Sequence, residues 1–259
     1  MGKLIKLIIA YMFLTTSTIY ANTTENDDKT VYIAIVIDDF GNGTKDTEAM
    51  INLDVPFTGA IMPNLEHSIS EMEKLHAAGK GIIVHMPMEP EKGNKSWLGK
   101  GAITVGLSNE EIQNNVILAL EQIEHAEGLN NHMGSKITKN PEIMEEIISV
   151  VKDKDLIMLD SLTTDKSKVE EICQKLDVKF LKRDVFLDAE GKHDVAFVQK
   201  RLLEASEIAK EKGYAIAIGH VGNAGGLDTV TAIANLAPTL EAEGIKFVTL
   251  RELYDVLKD

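Results

Sequence analysis

Val31-Tyr32-Ile33-Ala34-Ile35-Val36-Ile37-Asp38-Asp39-Phe40-Gly41 is a run of seven apolar or aromatic residues that stops on two carboxylates. A continuous β-branched run of this length reads as a strand buried on both faces, the habit of a central parallel strand. Side chains alternate along a strand, so Asp38 and Asp39 start toward opposite sides, and a turn at Phe40-Gly41 can re-aim one of them. Ionised carboxylates are costly to bury unless they are paired or hold a metal. Two readings are open at this point: one Asp caps the helix after Gly43, or the pair belongs to a site.

Working outward, strand and helix alternate about eight times. Thr44–Leu53 reads as a helix, Pro56–Pro63 as a short strand, Ser68–Ala78 as a helix stopped by Gly79, and Lys80–Val84 as a strand running into His85-Met86-Pro87-Met88-Glu89-Pro90. Glu91–Gly106 is a long Gly-, Lys- and Asn-containing loop that carries Trp97, a possible stacking platform for a sugar or an ordinary packing residue. Ser108 with Glu111 forms a capping box for the next helix. Gly128–Ser135 follows, then a helix opened by Asn140-Pro141. Strands over Leu156–Leu159, Val178–Leu181, Tyr214–Ile218 and Ile245–Thr249 alternate with helices over Lys166–Leu176, Asp194–Lys212, Leu227–Glu243 and Arg251–Lys258. This rhythm predicts an α/β fold, a deformed (β/α) barrel of about seven to eight parallel strands. No glycine-rich phosphate loop follows the first strand, which argues against a dinucleotide fold. No linker divides residues 31–259, which read as one domain.

The chain begins with a different kind of segment. Lys3 and Lys6 lead into the apolar run Leu7–Leu14, and a small polar stretch ends at Ala21. This is the order of a secretion signal over residues 1–21, too short for a membrane span. Residues 22–30 read as a flexible lead-in. The expected location is therefore the cell envelope or the exterior. The single cysteine, Cys173, lies on the apolar face of a helical pattern and has no partner, so stability must come from the core. A net charge of -14 without a Lys/Arg stripe argues against nucleic acid as a partner.

Asp38, Asp39, His85, Glu89, Asn131, His132, Asp160, Arg183, Asp184 and His220 each fall at, or just after, the carboxyl end of a predicted strand. In a (β/α) barrel those ends converge on one face, where active sites are built. His67, His76, His125 and His193 fall in helices or loops and are assigned to the surface. Each strand-end residue has a separate explanation: His85 as a core histidine, Asp160 and Asp184 as caps, Arg183 as an ion-pair partner. Their common position favours a cluster. A carboxylate and two imidazoles make a three-ligand set for Zn²⁺ or a similar divalent ion. A second carboxylate would take a proton from water, a further histidine would protonate a leaving group, and Arg183 would orient the base.

At these residues the sequence resembles the polysaccharide deacetylase superfamily with its NodB-type barrel, and within it the divergent polysaccharide deacetylase branch. His-x-Pro-Met-Glu-Pro, Asn-His-Met-Gly-Ser, Leu-Asp-Ser and Arg-Asp-Val-Phe-Leu-Asp carry the resemblance, which runs from about Val31 to the C-terminus. It implies Asp38 as base, Asp39 and His85 as metal ligands, and His220, in Ile218-Gly219-His220, as general acid. The superfamily's second metal histidine stands four residues after the first. Here that position is Glu89, and His132 is the expected replacement. The Arg-x-Pro-Tyr motif is missing, and Arg183-Asp184 are expected to do part of its work. The implied activity is metal-dependent deacetylation of an N- or O-acetylated envelope or extracellular polysaccharide, peptidoglycan-like substrates included. The broken spacing keeps open a non-catalytic protein that binds glycan or a partner, and a metal-dependent amidase or esterase of small molecules remains a third reading.

Overall fold

The computed structural model describes residues 30–93, 96, 98–188, 193–222 and 225–258. The secretion signal expected at 1–21, the expected lead-in as far as Lys29, and Trp97 lie outside them.

The elements run β1 Val31–Phe40, α1 Thr47–Ile51, β2 Thr58–Ile61, α2 Ser68–Ala77, β3 Gly81–Met88, α3 Asn109–Gln122, β4 Gly128–Met133, α4 Pro141–Asp153 and β5 Ile157–Asp160. They continue with α5 Val169–Leu176, β6 Phe180–Lys182, β7 Val185–Phe186, α6 Val195–Lys212, β8 Tyr214–His220, α7 Gly226–Ala242, β9 Ile245–Val248 and α8 Leu250–Lys258. All strand pairings are parallel, in the order β6-β5-β4-β3-β2-β1-β8-β7. The βα rhythm and parallel barrel are therefore as the sequence predicts. Local signals also hold: Ser108 and Glu111 form the capping box, and Asn140 accepts from the backbone N–H groups of Glu142 and Ile143 with Pro141 in the first turn. Neither Asp38 nor Asp39 caps α1, whose N-cap position is Asp46.

Two features depart from a regular barrel. The last strand, β9, does not extend the sheet. It pairs with the first part of β1, Val31–Ala34, and β2 takes over from Val36 on the same edge. The hydroxyl of buried Thr58 accepts from the Leu250 backbone N–H at 2.8 Å where β9 ends. The second departure is the seam. The sheet's outer strands, β6 and β7, are consecutive pieces of one segment. Arg183 N donates to Asp160 O of β5 at 3.0 Å, and Asp184 N donates to Ile216 O of β8 at 2.9 Å. The chain thus changes partner between neighbouring residues, and the predicted strand at 178–181 becomes two short ones.

Strand parity sorts the core. Ala34, Val36, Ile83, Ile157, Leu159, Leu181, Ile216 and Ile218 pack together inside the barrel, with Leu250 and Leu253 of α8 in the same cluster. Ile33, Ile35, Ile37, Val84, Met86, Leu129, Met158, Ala215 and Ala217 face the helices. With a period of two, the inward rows continue at the strand ends into Asp38, His85, Asn130 and His220. Cys173 is buried and free, and burial pushes its thiol up to about 12, so it is an inert core residue.

Candidate metal and hydrolytic site

Asp38 and His220 are register partners on adjacent strands, β1 and β8, so their side chains share the inner face. Asp39, one residue on, would point outward. It does not, because its backbone turns to φ 69°, where β1 slips register against β2 between Ile37 and Phe40. A left-handed backbone costs a non-glycine residue about 1–2 kcal/mol. Here it swings the second carboxylate back over the barrel mouth. The turn beyond is pinned by buried Glu71, which accepts from the backbone N–H groups of Gly41 and Gly43.

Three potential ligand atoms meet there. Asp39 Oδ1 lies 3.0 Å from His132 Nδ1 and 3.4 Å from His85 Nε2, and the two imidazole nitrogens are 3.1 Å apart. Bonds of about 2.0–2.1 Å at tetrahedral angles place ligand atoms about 3.3 Å apart. The cluster matches that spacing, and an N₂O set suits Zn²⁺ or another first-row divalent ion. Asp39 Oδ1 is buried yet makes no hydrogen bond among the described residues. A buried carboxylate oxygen facing two imidazoles without such a bond is the arrangement a cation would satisfy.

Around this core the second carboxylate and third histidine are held separately. Asn130 Nδ2 donates to Asp38 Oδ1 at 2.9 Å, and Asn130 Oδ1 lies 2.7 Å from His85 Nδ1. Asp188 holds His220: Oδ1 is 2.7 Å from the ring Nδ1, and Oδ2 accepts from the His220 backbone N–H and the Thr229 hydroxyl. Without a cation the electrostatics are opposed in pairs. Burial pushes the Asp38 carboxyl up against the pull of His85 and His220. Burial also works against ionised Asp39, but the His132 and His85 imidazoles override it and hold Asp39 well below the usual carboxylate range. For His220 burial disfavours the charged ring, yet Asp188, with Asp39 and Asp38 behind it, lifts it to about 9. A cleft of about 740 Å³ opens onto Asp39 and His132, walled by Met62, Leu65, Met133 and Val221.

The other sequence candidates lie elsewhere. Asp184 bonds Lys212 and accepts from the backbone N–H of Ile216 beside the start of β8. Asp160 points away from the axis and accepts from Leu162 N and Ser167 Oγ, bracing its own loop. Asn131 accepts from Ser161 N and donates to Met133 O. Asn131 and Asp160 have the outward parity, whereas Asp184, two residues before Phe186 and level with Ile216, lies at the start of β7, well below the mouth. Glu89 pairs with Lys136 and accepts from Val105 N, tying down the loop after β3. Arg183 has the inward parity, but its guanidinium donates to the carbonyls of Ser161 and Leu162 and lies over the Phe186 ring at 3.7 Å. The hydrogen bond to Asp38 expected of Arg183 is made instead by Asn130. Asn130 and Asp188 were absent from the sequence candidates. Parity would have found both: Asn130 is two residues before His132, and Asp188 is two after inward Phe186, which stacks on His220.

The fold and this cluster together define a parallel-barrel protein of the polysaccharide deacetylase type. The family described as divergent polysaccharide deacetylase matches residues 35–254, and the chain belongs to that family. An uncharacterized protein of Haemophilus influenzae is 31% identical over 220 residues, covering 85% of this chain and 76% of its own. The uncharacterized protein YibQ of Escherichia coli is 32% identical over 188 residues, 73% of this chain, but the match spans only 58% of that relative. Among solved structures, an uncharacterized Agrobacterium tumefaciens protein superimposes with a TM-score of 0.80 at 19% identity, covering 87% of this chain and 89% of its own. The Bc1960 peptidoglycan N-acetylglucosamine deacetylase does so at 0.53 and 13% identity, with 87% and 93% covered. A CE4 family pseudoenzyme from Bacillus anthracis gives 0.56 at 12% identity, with 88% and 66% covered. At such identities the likeness is one of fold, and that fold hosts both deacetylases and a pseudoenzyme.

Proposed function

We propose that this protein is an exported, metal-dependent deacetylase of an N- or O-acetylated envelope or extracellular glycan, peptidoglycan-like polymers included. The observation that carries the reading is the joint placement of a three-donor cluster, a buried carboxylate and a raised histidine at one barrel mouth. Asp39, His85 and His132 would hold the cation, with Zn²⁺ suited to the donor set. A divalent ion bound there supplies Lewis-acid polarisation of the acetyl carbonyl and activation of water.

The chain's own groups supply the proton transfers. Asp38, oriented by the Asn130 amide, accepts the proton of the attacking water. Asp188 stabilises the imidazolium and lifts the His220 ring to about 9, which suits it to donate to the departing amine or alkoxide. The cleft above Asp39 and His132 admits the acetyl group. Arg183 fastens the loop after β5 and supports the Phe186 ring on which His220 rests. The secretion signal at residues 1–21 supports an envelope or extracellular location.

The test is acetate release from acetylated chitooligosaccharides and from peptidoglycan in the presence of Zn²⁺, with Asp38→Asn as control. General-base removal should cost about 10²–10⁴-fold in rate. No release from any glycan, or equal release by the variant, overturns the reading.

A further inference from the structure

We infer that Asn130 is a positioning residue that sets two partners at once: it fixes which nitrogen of His85 faces the cation site, and it holds Asp38 as the proton acceptor. The inference rests on the deacetylase reading for its catalytic half only.

Asn130 lies on β4 with the inward parity and is fully buried. Its Oδ1 lies 2.7 Å from His85 Nδ1; its Nδ2 lies 2.9 Å from Asp38 Oδ1 and 3.2 Å from Ser161 Oγ. The amide has one acceptor end and one donor end, and the two neighbours demand different ends. An ionised carboxylate is acceptor-only, so it must face the NH₂. The carbonyl is then left for His85, whose Nδ1 must carry the proton. That forces the lone pair of His85 onto Nε2, the atom that meets Asp39 and His132. A flipped amide would set its carbonyl against Asp38 and turn the His85 lone pair away from the site. His85 Nδ1 and Asp38 Oδ1 are 3.6 Å apart, too far for a direct hydrogen bond, so the amide links them. Arg183 is directed elsewhere, its Nε and Nη2 donating to the Ser161 and Leu162 carbonyls.

The two roles separate by substitution. Asn130→Asp keeps the size and an acceptor for His85 but sets a second carboxylate against Asp38. Asn130→Leu removes both bonds. Binding of Co²⁺ and Zn²⁺ to the full chain is measured by titration, with the Co²⁺ visible spectrum as a second readout. Turnover of an acetylated chitooligosaccharide is measured alongside, and circular dichroism verifies folding. Asn130→Leu should bind metal about 10–100-fold more weakly, the range for lost outer partners of metal-bound histidine. Asn130→Asp should bind metal within about threefold of the parent, yet turn over about 100-fold more slowly, a loss within the general-base range. An Asn130→Leu protein with parental metal affinity overturns the tautomer role, as does an unfolded Asn130→Leu paired with an Asn130→Asp that loses metal. An Asn130→Asp protein with parental turnover overturns the base role. If the parent binds metal but hydrolyses no glycan, the deacetylase reading and the base role fall, and the metal arm alone decides the tautomer role. If the parent binds no metal, both readings fall.

Discussion

Replacing Asp188 by asparagine should uncouple His220 from pH. His220 sits at about 9 against its ordinary 6.5. At about 1.36 kcal/mol per unit, the folded chain favours the protonated ring by about 3 kcal/mol. Because the folded value lies above the unfolded one, that stabilisation is complete below about pH 6.5 and is lost as the pH rises through about 9. Asp188 is the leading cause of the lift, through a 2.7 Å contact with the ring, while burial pulls the other way. Asparagine removes the charge, leaving Asp39 and Asp38 to oppose burial, and the ring should fall back toward its ordinary value. With its carbonyl in place of Oδ2 the amide keeps both the His220 backbone N–H and the Thr229 hydroxyl and turns its NH₂ to ring Nδ1; flipped, it sets the NH₂ against that backbone N–H at about 1–3 kcal/mol independent of pH. Urea unfolding of the chelator-treated protein separates these effects. The gap between parent and Asp188→Asn should be about 2–3 kcal/mol wider near pH 6 than near pH 9.5. A titration of the His220 ring by NMR should show the lowered midpoint directly. A gap of equal size at both pH values would refute the coupling.

Further outcomes follow from the same geometry. His132→Ala should remove one of three converging donors and weaken Zn²⁺ or Co²⁺ binding by well over tenfold, while His76→Ala, at an exposed ring stacked on His125, should leave metal binding unchanged in the same titration. Gly225→Ala would put a Cβ inside the Asp188 carboxylate and the Thr229 hydroxyl, so a thermal melt should show about 1–3 kcal/mol lost and the His220 midpoint should fall with it. In the loaded protein the alkaline limb of kcat/KM should move to lower pH in Asp188→Asn, since less of the acid stays protonated. An unmoved limb would detach His220 from proton donation.

Some of this was legible in the chain before any coordinates. Alternating βα periodicity, the capping box at Ser108 and Glu111 and the proline after Asn140 are local signals, decided within a few residues, and each forms as read. Strand-end carboxylates and histidines pointed to one face of the barrel for the same reason. The candidates that strayed were chosen by position alone. Asn131 and Asp160 sit at strand ends but on the outward parity, where they brace loops, and Asp184 stands at the start of β7, where it pairs with Lys212. The inward neighbours of the first two, Asn130 and Ser161, meet beside Asp38 instead.

The residue string by itself indicated the parallel barrel and the Asp-Asp pair that closes its first strand, because burial period and chain direction are properties of short segments. Tertiary structure decided the rest. Only the left-handed turn at Asp39, forced where β1 slips past β2, sends two consecutive carboxylates to the same side. Only strand order brings His132 beside His85 and Asp188 under His220, since those contacts span 47 and 32 residues of chain and depend on which strands lie next to each other.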